Sequence, residues 1–228
     1  ISFKFKYIFI KINSKDEDMI EHEEEKRKLA IKIASKVKDG DTIGFGSGST
    51  SLLTTIEIGR RVISENLKIT AIPTSNEIAN VCRQYNINVS SLSEANIDWS
   101  FDGADEVDPN NNLLKGMGRA LFREKLNILS SPITYILVDK SKFVTCLGEK
   151  HPVPIEIYTD SKKLVSEKLK EIGATNIKEA AVSDNNNLIL HAQFENVDYD
   201  LEKQIKLIPG VIESGLFYGY NVKVITND

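Results

Sequence analysis

Short apolar runs that each end in a cluster of small or polar residues constrain this chain more than any other feature. Residues 42–45 (TIGF) run into GSGST, residues 67–72 (LKITAI) into PTS, residues 97–101 (IDWSF) into DGAD, and residues 133–138 (ITYILV) into DKSK. A further short run covers residues 88–92. Between the first two, Leu52, Leu53, Ile56 and Ile58 recur as on a helix, and helices are expected over residues 76–85 and 121–129, with Leu121, Leu126 and Leu129 as apolar contacts of the latter. Strand, helix and strand at this spacing predict βαβ units and a largely parallel sheet. Ligands of such sheets bind at the carboxyl ends of the strands, where the polar clusters fall.

Other segments set the organisation. Residues 17–40 form a first helical candidate, with Leu29, Ile33 and Val37 four apart and Gly40 as its stop. The stretch His151-Pro152-Val153-Pro154 punctuates the chain strongly and is the expected domain boundary. Beyond it a strand at 155–157, a helix at 161–172, strands at 176–181 and 188–194 and a helix at 201–207 suit a small split βαβ module. Apolar segments near 211–212, 216–217 and 222–225 are expected to return to the first domain, so the division is 1–151 plus 208–228 against 152–207. Residues 1–20 are an atypical extension; within it, residues 1–12 alternate aromatic residues with lysines, as an edge strand or docking segment would, and are too short and too charged to span a bilayer.

The chemistry gathers at residues 99–125, WSFDGADEVDPNNNLLKGMGRALFREK. Asp102 and Asp105 stand at a turn, Lys115 follows an Asn-rich loop, and Glu124 opens a helix that would hold a base firmly. Each of these residues taken alone fits a solvated loop, a helix cap or an intrahelical pair better than it fits catalysis. Gly46, Ser47, Gly48, Ser49 and Thr50 could cradle a phosphate at a helix N-terminus, although they match neither GxxxxGK[ST] nor GxGxxG. The same small residues also suit a tight strand-to-helix turn without a ligand. Ser75 is expected to cap its helix.

Several classes are disfavoured. With 29 Lys plus Arg against 33 Asp plus Glu, the net charge of -4 provides no general attraction for nucleic acid or an acidic membrane. Cys82 and Cys146 form no CxxC and are expected to be free thiols in a reducing, cytoplasmic setting. His22, His151 and His191 are too scattered for a zinc site, and Asp102, Asp105, Glu106 and Asp108 lack the EF-hand spacing. What remains is consistent with proton transfer on a small phosphorylated substrate.

The motifs DGADE at 102–106, KGMG at 115–118, REK at 123–125 and GSGST at 46–50, with VDKSK at 138–142, PVPIE at 152–156 and IPGV at 208–211, resemble type A ribose-5-phosphate isomerases from about Glu23 to the C-terminus. The resemblance implies an α/β fold, a Rossmann-like, largely parallel sheet domain with an inserted small ferredoxin-like α+β domain. It also implies interconversion of ribose 5-phosphate and ribulose 5-phosphate through a cis-enediolate, with no metal or other cofactor, in a homodimer or homotetramer. By position, Glu124 matches the base, and Asp102, Asp105 and Lys115 the residues that handle oxygens and protons. Ser47, Gly48, Ser49, Thr50, Gly103, Ala104, Gly116, Met117, Gly118, Lys142 and Lys26 match substrate contacts. Met117 and Arg119 interrupt a run usually made of glycines, and are expected to narrow the pocket and add charge. Two other readings remain: a binding module that holds a sugar phosphate without converting it, and an isomerase of another sugar phosphate.

Overall fold

The computed structural model describes residues 14–227. The expected edge strand or docking segment at residues 1–12 lies outside the described residues. In chain order the elements are α1 (Ser14–Ala34), β1 (Thr42–Phe45), α2 (Ser49–Glu65), β2 (Thr70–Pro73), α3 (Asn76–Gln84), β3 (Asn88–Val89), β4 (Trp99–Asp102), β5 (Glu106–Val107), β6 (Leu113–Leu114), α4 (Leu121–Ser130) and β7 (Thr134–Leu137). There follow β8 (Val153–Ile157), α5 (Lys162–Glu171), β9 (Asn176–Val182), β10 (Leu188–Gln193), α6 (Tyr199–Lys206), β11 (Val211–Ser214), β12 (Leu216–Phe217) and β13 (Val222–Ile225).

Six strands pair in parallel in the order β3-β2-β1-β4-β7-β13. Numbered within that sheet, the order is the 3-2-1-4-5-6 of doubly wound dinucleotide-type folds, which reverses direction between β1 and β4. Phe45 and Phe101 pack edge to face there, 5.0 Å between ring centres, in a core with Ile33, Ile43, Ile58 and Ile78. β4 runs one residue further than expected, so Asp102 is a sheet residue paired with Ile136 rather than a turn residue.

A second sheet, antiparallel in the order β11-β8-β10-β9, carries α5 and α6 and completes a βαββαβ module. Its last strand corrects the expectation that residues 211–212 return to the first domain. Val211, Glu213 and Ser214 pair with β8, because Gly210, at φ 95°, turns the chain back onto Tyr158. A third, small antiparallel sheet, β12-β6-β5, was not legible in the sequence as strands on either side of the DPNNN loop.

Two helices also differ from expectation. α1 ends at Ala34 in tight turns at Lys36 and Val37, while Gly40 donates to Lys68 O at 2.8 Å and so belongs to the loop. On α4, Leu121 is buried, but Leu126 and Leu129 are 37% and 64% exposed, and Glu124, Lys125 and Asn127 are buried instead. The helix lies between the two main sheets and turns a polar face inward. No helix among the described residues is long and apolar enough to cross a membrane.

Glu106 ties these parts together. Its fully buried carboxylate accepts N–H groups of Gly148, Lys150 and His151 at 2.6, 2.7 and 2.6 Å, holding the crossing into β8 against the start of β5. Glu106→Gln turns an amide N–H₂ toward one of these donors, and urea melts should show a loss of about 1–3 kcal/mol.

Candidate active site

At the point where the strand order reverses, the loops leaving β1 and β4 diverge and open a crevice. Gly46 makes the first approach: its N–H donates to Phe101 O at 2.8 Å, and a Cβ at this position would overlap the Asp102 side chain. Gly48, at φ 84°, then turns the chain into α2, which begins without a side-chain cap. Uncapped amide groups at a helix start favour an anion. Lys26, from α1, donates to Ser49 Oγ at 3.2 Å and adds a cation to this loop.

The other side of the crevice holds three buried charges. The β5-β6 hairpin is closed by Asp108, which accepts the N–H groups of Asn110 and Asn112, each at 2.8 Å, and it delivers Lys115. The Lys115 ammonium lies 3.1 Å from Asp102 Oδ2 and 3.4 Å from Glu124 Oε2, and also donates to Gly103 O. Asp102 Oδ1 accepts N–H groups of Ser47 at 3.1 Å and Gly103 at 2.8 Å, with the Ser51 hydroxyl at 3.4 Å. Glu124, in the first turn of α4, accepts from Ser47 Oγ at 2.6 Å through Oε1, while its Oε2 is buried without a hydrogen bond.

These surroundings set the protonation. Burial pushes the Glu124 carboxyl up to about 7, the negative Asp102 adds to the rise, and Lys115 and the Ser47 hydroxyl oppose it. Burial also raises Asp102, against Lys115 and the amides of Gly103 and Ser47. With more donors on Asp102, the proton of the pair resides more readily on Glu124. Burial works against the Lys115 ammonium, but Asp102, Glu124 and Asp105 outweigh it and hold it above its usual range.

A cavity of about 130 Å³ runs between the two sides. It brings together Lys26, Ser47, Gly48, Ser49, Thr50, Gly103, Ala104, Asp105, Lys115, Gly116, Gly118, Glu124 and Lys142. Two expected residues stand apart from its wall. Asp102 is buried behind Lys115, and Met117, exposed, offers only its N–H to Asp105 Oδ2 at 3.0 Å. Met117 and Arg119 line a neighbouring cavity of about 290 Å³ with Ser75, Glu77 and Asp184, so neither side chain narrows the first. Arg119 does take the left-handed conformation, at φ 67°, that ordinarily favours glycine. Ser75 caps α3, accepting Ile78 N–H at 3.3 Å.

Leu137, Val138 and Asp139 line the cavity without having been singled out as contacts. Their signal was the polar cluster ending β7: Asp139 accepts Ser141 N–H at 2.8 Å and caps the single turn that carries Lys142. The acidic run at 102–108 does not converge. Asp102 turns to Lys115, Glu106 to the 148–151 amides and Asp108 to its own loop, and among the described residues no group of three or more His, Cys, Asp or Glu side chains could hold a metal ion.

A family model described as ribose 5-phosphate isomerase A (phosphoriboisomerase A) matches residues 70–228. The chain belongs to this family. A ribose-5-phosphate isomerase A of Methanothermobacter thermautotrophicus is 38% identical over 203 residues, 85% of this chain and 89% of the relative. One from Bacillus anthracis is 43% identical over 201 residues, 84% of this chain and 90% of that one. The solved ribose 5-phosphate isomerase A of Methanocaldococcus jannaschii superposes with a TM-score of 0.85 at 38% identity, over 90% of this chain and 96% of that one. A D-ribose-5-phosphate isomerase in complex with phospho-erythronic acid superposes with a TM-score of 0.81 at 35% identity, over 87% of this chain and 93% of that one.

Removing the shared cation tests the geometry. Lys115→Met leaves two buried carboxylates without a counter-charge, raising both in the folded chain. Stability tied to a raised carboxyl is present below its unfolded value and lost as pH rises through the folded one. The variant should therefore lose about 3–5 kcal/mol at pH 8 and distinctly less at pH 5, measured by denaturant melts at both pH values.

Proposed function

We propose that this chain interconverts D-ribose 5-phosphate and D-ribulose 5-phosphate, with Glu124 as the base that carries the proton between C2 and C1. The observation that carries the reading is the Glu124 oxygen that makes no hydrogen bond, buried 3.4 Å from the Lys115 ammonium beside the cavity that residues 47–50 also line. A carboxylate poised near neutrality accepts a proton from carbon and returns it without becoming trapped in either state.

The steps follow from the groups present. The phosphate of the open-chain sugar binds to the amides of residues 48–50 and the hydroxyls of Ser49 and Thr50 with Lys26 and Lys142, which fixes the end of the sugar that meets Glu124. The Ser47 amide and hydroxyl stay on Asp102 and Glu124. As Glu124 removes the C2 proton, negative charge grows on the C1 oxygen. Lys115 meets that charge, and the site is already charged and oriented before the reaction begins. The resulting cis-enediolate is reprotonated at C1 by the same carboxyl, giving the ketose. Asp105, at the cavity wall, moves hydroxyl protons between O1 and O2 and assists ring opening. Asp102 acts through Lys115 and the Ser47 amide, as a positioning group rather than one that meets the sugar.

This reading includes a division of labour. The parallel-sheet domain binds and reacts, and the small domain supports α4. A cytoplasmic location and a homodimeric or homotetrameric assembly accompany the reading through the family resemblance.

Two measurements test it. Glu124→Gln should bind ribose 5-phosphate but lose about 10²–10⁴-fold in kcat. A variant that turns over at the wild-type rate would remove Glu124 from the mechanism, and a wild type that binds the sugar phosphate without converting it would replace the isomerase by a binding module. For the wild type, the base form is lost below its raised midpoint, so kcat/KM should fall about tenfold per pH unit below about 7. An acid limb near 4.5 would mean that an unperturbed carboxylate does the work.

A further inference from the structure

Lys125 follows Glu124 on α4, and its side chain is only 4% exposed. Its ammonium donates to Glu202 Oε1 at 2.8 Å, Glu213 Oε1 at 3.0 Å and Leu216 O at 2.7 Å, so each of its three N–H bonds has an acceptor. It also lies 4.6 Å from the centre of the Phe217 ring. The acceptors belong to α6, β11 and β12, and none to α4 itself or the parallel sheet.

The acceptors are themselves held. Glu202 accepts Tyr218 N–H at 3.1 Å and the Tyr220 hydroxyl at 3.3 Å, and Glu213 accepts Lys206 Nζ at 2.8 Å and Ser214 N–H at 3.0 Å. A buried ammonium among fixed acceptors stops α4 from rotating or sliding. Successive residues leave a helix about 100° apart, so the setting of Lys125 also sets the direction in which Glu124 leaves.

The same node reaches Lys115. Leu216 pairs with Leu114, Gly215 O accepts Lys115 N–H at 2.9 Å, and a Cβ on Gly215 would overlap Lys115 O. One ammonium thus restrains the helix that carries Glu124 and, through the 215–216 backbone, the strand end that carries Lys115. Buried ion pairs add little net stability over an apolar replacement of similar shape. We infer that Lys125 is a positioning residue, which sets the separation of Glu124 from Lys115 by tying both to the segment that runs from β11 into β12. The inference rests on the isomerase reading and extends it to a residue outside the cavity.

The test compares the wild type with Lys125→Met and with Lys168→Met, the latter breaking an exposed ion pair to Glu171 on α5, outside the Lys125 network. Lys125→Met should lose about 10²-fold in kcat, as expected for a misplacement of about 1 Å. Its KM should stay within about threefold, because the phosphate cradle is untouched, and the acid limb of kcat/KM should move away from that of the wild type. Lys168→Met should match the wild type in all three. A folded Lys125→Met with wild-type kcat overturns the inference, and so does one whose kcat and KM worsen together with an unmoved acid limb. If Lys125→Met does not fold, Glu213→Gln decides. It keeps the ammonium neutralised by Glu202 while weakening one of its three bonds, and should lower kcat by about three- to tenfold at unchanged KM; an unchanged kcat overturns the inference. An inactive wild type would instead overturn the isomerase reading and this inference with it.

Discussion

The site depends on one ammonium, Lys115, buried between two carboxylates, Asp102 and Glu124. Charges out of water are tolerated only when paired and hydrogen-bonded. Asp102 meets that condition fully, with two backbone amides, a hydroxyl and the lysine. Glu124 meets it only in part, with one oxygen on Ser47 and the other 3.4 Å from the Lys115 ammonium without a hydrogen bond. The two acids are therefore held differently: Asp102 is saturated with donors, and Glu124 keeps one oxygen that, among the described residues, only Lys115 approaches.

Three separate parts of the fold converge to make this arrangement. The reversal of strand order sets β1 beside β4 and opens the crevice. Gly46 lets the two strand ends approach until Ser47 can donate to Asp102. The small β12-β6-β5 sheet then carries Lys115 over the end of β4, and α4 supplies Glu124 from behind.

Helix α4 is tied to the antiparallel βαββαβ module on both sides of Glu124. Arg123, before Glu124, donates to Asn185 Oδ1 at 2.7 Å. Asn185 lies in a hairpin turn whose Ser183, Asn185 and Asn187 side chains all donate to the buried Glu156, at 2.8, 3.0 and 2.9 Å. Lys125, after Glu124, enters the Glu202 and Glu213 pair. The two basic neighbours of Glu124 therefore both point into the antiparallel module, leaving Glu124 to face the cavity. This is why the buried side of α4 is polar, and why its leucines at 126 and 129 stay at the surface.

Much of this was legible in the chain. Apolar runs ending in small or polar residues announced a parallel sheet, and GSGST, DGAD, Lys115 and Glu124 supplied most of the residues that the fold gathers around one cavity, because local periodicity and turn chemistry act between near neighbours. The resemblance then assigned roles to those residues. Tertiary structure alone decided that β11 completes the small sheet, that two-residue strands at β5, β6 and β12 carry Lys115, and that Asp102 lies behind the lysine rather than on the cavity wall. It also decided that Met117 stays outside the pocket and that Lys125 is buried. Two residues are too few to show a period. Whether a charged side chain is buried depends on partners such as Glu202 and Glu213, 77 and 88 residues away from Lys125, which only the folded chain brings within reach.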